Sequence, residues 1–138
     1  MSPDVLANKI ESLRRCIARI EQKRPSSADD LRKSADLQDI MVINLERAVQ
    51  VCVDIAAHLI SSRGGAVPGT MAEAFSALAT ANVITPATAE RMQKAVGFRN
   101  IAVHEYEKIN WDIVFKIVTI HLEDFRQFAR EVLKAPGT

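Results

Sequence analysis

Leu6, Ile10, Leu13, Ile17 and Ile20 advance along the chain by steps of four, three, four and three. Such steps hold side chains on one stripe of an α-helix, whereas a strand turns its face every second residue. The spacing predicts an amphipathic helix over 5–24 with a narrow, bundle-like seam, broken by Pro25-Ser26-Ser27. After a charged stretch comes a second, longer face: Leu37, Ile40, Met41, Asn44, Leu45, Ala48, Cys52, Ile55, Ala56 and Leu59. Val42, Ile43, Val49, Val51 and Val53 widen it beyond one seam. This second helix is expected to be the backbone of the core and to touch more than one neighbour, in a bundle or a dimer.

The clearest loop is 61–69, SSRGGAVPG, with three glycines and a proline. Thr70, followed three residues later by Glu73, reads as a capping box that opens a short helix to about residue 81, and Asn82 can end it. Thr85 and Pro86 form an N-cap and a first helical position, where the missing N–H of proline costs nothing. Asn110 caps a last helix with Asp112 in its first turn. Its expected inward face is Ile113 or Val114, Ile117, Ile120, Asp124 or Phe125, Phe128 and Val132, before 134–138 fray. No alternating apolar and polar run lies between hairpin turns, so the expected architecture is all-α: an antiparallel bundle of about five helices in a single domain, 1–138.

Charge and cysteine usage narrow the function classes. Eighteen Lys and Arg oppose 17 Asp and Glu, so the chain lacks the overall positive field of a general nucleic-acid coat, and any phosphate binding must be local. The basic positions of the first helix, Lys9, Arg14, Arg15, Arg19, Lys23 and Arg24, fit a solvated face or a guide for a phosphate backbone. No leader pattern and no apolar run of about 18 residues is present, so no membrane contact and a cytoplasmic location are expected. Cys16 and Cys52 sit apart inside helical patterns without metal-ligand spacing, and free thiols are expected, with no metal and no cofactor.

The stretch 97–110, GFRNIAVHEYEKIN, crowds Arg99, Asn100, His104 and Tyr106 into eight positions. On a helix turning about 100° per residue, Asn100 and His104 share a face while Arg99 and His104 diverge by about 140°. Arg and His can then meet on one ligand if the helix ends or bends near His104, which Gly97 would ease, or if a second copy supplies the missing face. The chemistry such a set favours is metal-free phosphoryl transfer. Imidazole moves a proton near neutral pH, and guanidinium matches a phosphate that gains charge in the transition state. Asn100 can hold the imidazole in one tautomer, and Tyr106 offers a stacking ring or an acceptor hydroxyl. The bland reading is a polar helix end whose side chains pair with Glu105 and Glu107. His58 and His121 read as structural, because neither has a matching set of polar partners nearby in sequence.

RNIAVHEY, 99–106, resembles the Arg, four residues, His, one residue, Tyr motif of the HEPN superfamily. EKINWDIVFKIVTIHLEDFRQF after it is similar to the C-terminal helix of the HepT-like branch, and LQDIMVINLERAVQVCVDIAAHLI to that branch's second helix. The resemblance extends over about 3–133 and implies a HEPN-type dimeric bundle: the toxin of a toxin–antitoxin pair, a metal-independent endoribonuclease. It implies that Arg99 and His104 are catalytic, that Asn100 supports them, and that Tyr106 receives AMP from a partner antitoxin, an MntA-like nucleotidyltransferase. The competing expectation is a non-catalytic HEPN module that binds a nucleotide or only presents itself to that partner.

Overall fold

A computed structural model describes residues 3–66 and 68–135, and among these there is no strand. Seven α-helices follow in order: α1 (Pro3–Lys23), α2 (Ala28–Lys33), α3 (Ala35–Ser62), α4 (Met71–Thr80), α5 (Pro86–His104), α6 (Trp111–Lys116) and α7 (Leu122–Lys134). A 3-10 turn, Tyr106–Lys108, separates α5 from α6, and a π-helical turn, Ile117–His121, joins α6 to α7 in one arm.

The long helices stand where the periodicity puts them. All five seam residues of α1 are buried, and α1 lies along α3. α3 is the central helix, with eleven buried residues from Met41 to Ile60, and it meets α1, α4, α5 and the α6–α7 arm. Its buried Asn44 keeps its amide satisfied by donating to the Ile40 carbonyl at 2.8 Å. Phe75 of α4 and Phe128 of α7 meet edge to face inside the core, centroids 5.5 Å apart at 84°.

Side chains and turn residues stop and start the helices, at Thr70, Asn82, Thr85 and Asn110 as expected and at Ser27 and Ser34 in addition. Ser27 and Ser34 cap α2 and α3, and the Thr70 hydroxyl accepts the Glu73 N–H at 3.2 Å. The return arm of that box is displaced by one residue, since the Glu73 carboxylate accepts from Gly69 N–H at 3.1 Å. Asn82, at φ +60°, ends α4 and lets the Val83 N–H reach back to the Leu78 carbonyl at 2.9 Å. Thr85 caps α5 with Pro86 in its first turn, and Asn110 accepts the N–H groups of Asp112 and Ile113 to cap α6.

Two departures have local causes. The charged stretch before α3 contains α2, a six-residue helix too short to show a period, pinned by fully buried Leu31 and by the Arg32–Asp112 ion pair to α6. The inward face of the last arm runs Val114, Val118, Leu122, Phe125, Phe128 and Val132, so Ile120, expected inside, stands 60% exposed. The stripe is set by Val114, and Ile120, six residues on, lies about 240° round the helix on its outer side, while Ile117 stays half-buried against the core. Arg24 donates to the Val118 carbonyl of the π turn at 2.8 Å, so this basic residue serves the fold. Of the expected frayed end, Lys134 is still helical, Ala135 is half-buried against the core, and 136–138 lie outside the described residues.

Candidate active site

α5 carries the motif to its last residue. It passes through Gly97 without a break, and a Cβ placed there would touch nothing within 4 Å, so glycine introduces no bend and admits no neighbour of the same chain. The helix stops at His104. Glu105 leaves helical geometry at φ −142°, ψ 52°, while its N–H still bonds the Ile101 carbonyl at 2.8 Å. The chain then turns through Tyr106–Lys108, and the Ile109 N–H closes the turn on the Tyr106 carbonyl at 3.1 Å.

This geometry sets where each side chain goes. Arg99 is half-buried; Asn100 and His104 are exposed. A regular helix holds Asn100 and His104 on one side and directs Arg99 about 140° away from His104; α5 ends only at His104 itself, so its ending leaves that angle in place. Among the described residues, none hydrogen-bonds or ion-pairs with the side chains of Arg99, Asn100 or His104. The pairing that a merely polar helix end would show is absent there: Glu105 is engaged by Lys108 at 3.3 Å instead. Three polar side chains, two of them exposed and Arg99 half-buried, are left with their hydrogen-bonding capacity unspent.

Tyr106 is placed differently. Its hydroxyl donates to an Asp39 carboxylate oxygen on α3 at 3.0 Å, and its ring meets Trp111 edge-on, centroids 6.0 Å apart at 66°. Partial burial, the hydrogen bond to Asp39 and the negative charges of Asp39 and Glu46 together push the phenol up to about 12. Asp39 lies 67 residues from Tyr106, and no local pattern ties the two. Sequence reasoning missed Asp39 for that reason; it missed Trp111, which is close in sequence, because only the turn after α5 brings the two rings together.

The remaining candidates do not all take the structural parts expected of them. His121 Nδ1 lies 3.2 Å from Asp124, and His58 is exposed on α3 without a polar partner among the described residues. Lys9 pairs with Asp54 of α3 at 3.4 Å and Arg14 with Glu11 at 3.2 Å. Burial raises the Cys16 thiol and raises Cys52 further; both are free. Among the described residues no three His, Cys, Asp or Glu side chains gather as a metal site. No described helix is long and apolar enough to cross a membrane. An open groove of about 820 Å³ runs between α5 and the α6–α7 arm, with Phe98, Ile101, Ile113 and Ile117 among its walls, and none of the four motif residues lines it.

Comparison with known proteins places this helical fold first among HEPN toxins. A solved structure of the tri-AMPylated Shewanella oneidensis HEPN toxin in complex with MNT antitoxin matches with a TM-score of 0.90 and 37% identity, over 97% of this chain and 100% of that one. The chain belongs to the Ribonuclease HepT-like family, whose model matches residues 13–132. It is 40% identical over 132 residues to the mRNA nuclease HepT of Shewanella oneidensis, covering 96% of this chain and 98% of the relative. It is 26% identical to the tRNA nuclease HepT of Aphanizomenon flos-aquae, over 96% of this chain and 90% of that relative.

Proposed function

We propose that this chain is the toxin of a toxin–antitoxin pair: a cytoplasmic, metal-independent endoribonuclease that an MntA-like nucleotidyltransferase silences by attaching AMP to Tyr106. The observation that carries the reading is the joint one. A chain that matches the HepT-like family over residues 13–132 keeps Arg99, Asn100 and His104 unpaired at the end of one helix, with Tyr106 just beyond it.

In this reading His104 moves protons while the ribose 2′-OH attacks the adjacent phosphorus, the bond to the 5′-oxygen breaks, and a 2′,3′-cyclic phosphate and a 5′-hydroxyl form. Arg99 holds the phosphate as its charge grows. Asn100, on the imidazole's side of the helix, hydrogen-bonds the substrate or fixes the ring's tautomer. The angular gap between Arg99 and His104 calls for a homodimer in which two α5 ends flank one cleft, so that each copy completes the other's site. AMP on Tyr106 adds bulk and a phosphodiester charge beside that cleft, where it blocks RNA and competes for Arg99.

The test uses purified, unmodified chain, a synthetic RNA and excess chelator. Cleavage should leave cyclic phosphate ends, and His104→Ala or Arg99→Ala should slow it by about 10²–10⁴-fold with an unchanged circular dichroism spectrum. Full activity in both variants would overturn the assignment. A wild-type chain that neither cuts RNA nor slows its host, yet co-purifies with the nucleotidyltransferase, would establish the non-catalytic partner module in its place.

A further inference from the structure

We propose that Asp39 is the proton acceptor when a nucleotidyl group is transferred to Tyr106, so that the modified chain supplies its own general base to the transferase. The inference rests on the reading of Tyr106 as the modified residue and adds the group that makes its hydroxyl reactive.

Of the two residues that hold the Tyr106 side chain, Trp111 meets only the ring, and Asp39 alone takes the hydroxyl, at 3.0 Å. Asp39 has no ion pair with any described cation, so its charge is not spent elsewhere. It sits in the first turns of α3, the central helix, which fixes it against the turn that carries Tyr106. A tyrosine that served only as a stacking surface would need no such partner.

The chemistry then requires one. With the phenol pushed up to about 12, roughly one hydroxyl in 10⁵ is ionised at pH 7. A free phenolate is too scarce to be the nucleophile, so the proton has to leave as the new bond forms. In the balanced step the phenolic oxygen attacks the α-phosphorus of a nucleoside triphosphate. The O–P bond forms, the bond to the β-phosphate bridge breaks, pyrophosphate departs, and the phenolic proton passes to the Asp39 carboxylate and then to water. The same carboxylate, with half-buried Glu46 on the same helix, makes phenolate costly while giving the proton a place to go. Protonation of Asp39 in the step also removes one negative charge next to the incoming phosphate.

The experiment follows AMP addition to the full-length chain by intact mass, with the MntA-like partner and Mg-ATP, at varied concentrations of the chain. Asp39→Asn keeps an oxygen that accepts the hydroxyl but cannot take its proton. It should lower kcat at least about 100-fold while KM for the chain stays within about two-fold, and Asp39→Glu should recover much of kcat. Asp39→Asn should still cleave RNA at the wild-type rate, which shows that it folds. Tyr106→Phe should gain no mass. Wild-type kcat in Asp39→Asn, or a rise in KM with kcat unchanged, overturns the role of Asp39 alone. A wild-type chain that gains no AMP overturns the assignment of Tyr106, and this inference with it.

Discussion

Gly97 and Tyr106 show how single residues in the motif can be tested without touching catalysis. Gly97 sits in regular helix with open space where a Cβ would go. Gly97→Ala should therefore stabilise the isolated chain by about 0.5–1 kcal/mol, read from the urea midpoint, because alanine loses less backbone freedom on folding. Destabilisation would mean that another backbone rests against this point in solution. Tyr106 is the only tyrosine of the chain, so phenolate absorbance reports it alone. Its midpoint should fall near 12 in the folded protein and move down towards the ordinary value in Asp39→Asn, while a wild-type midpoint at the ordinary value would contradict the hydrogen bond. A phenol raised in the folded state adds stability below its unfolded pKa, and that stability is lost as pH climbs through the folded value.

At the scale of elements, the start of α5 is tied to α7 through Glu131. Its carboxylate accepts from the Thr85 N–H at 2.7 Å, from the Thr88 hydroxyl and from Gln127 at 2.8 Å. Burial alone would raise this group, and the hydrogen bonds from Thr88, Thr85 and Gln127 outweigh it to hold the carboxyl below its usual range. The contribution is thus present above the unfolded carboxylate pKa and lost as pH falls through the folded one. Glu131→Gln should cost about 1 kcal/mol at pH 7, and the gap between variant and wild type in chemical denaturation should close below about pH 4. A gap independent of pH would show that shape, and not charge, makes the contact. The π turn in the neighbouring arm belongs to the same scale. Its Val118 carbonyl accepts from Arg24 at 2.8 Å.

At the scale of the molecule, α4 and α7 meet through Phe75 and Phe128, two side chains with no exposed area. Phe128→Ala should cost about 3–5 kcal/mol in urea unfolding, and a loss below about 1 kcal/mol would mean that the core refills the space. Much of this architecture was legible beforehand. The α1 seam, the width of α3, and the caps at Thr70, Thr85 and Asn110 all rest on interactions spanning no more than about four residues, which a linear pattern displays directly. The order Arg99, Asn100, His104, Tyr106 was legible for the same reason, as was the angular separation of Arg99 from His104. What only the tertiary structure decided are matters of distance in sequence. Tyr106 turns to Asp39 and not to Glu105 or Glu107, α2 locks onto α6 through Arg32 and Asp112, and the last arm packs on Val114 and not on Ile113, which leaves Ile120 at the surface. Each of these depends on which remote helix packs alongside, and that is settled by the burial of whole faces against one another.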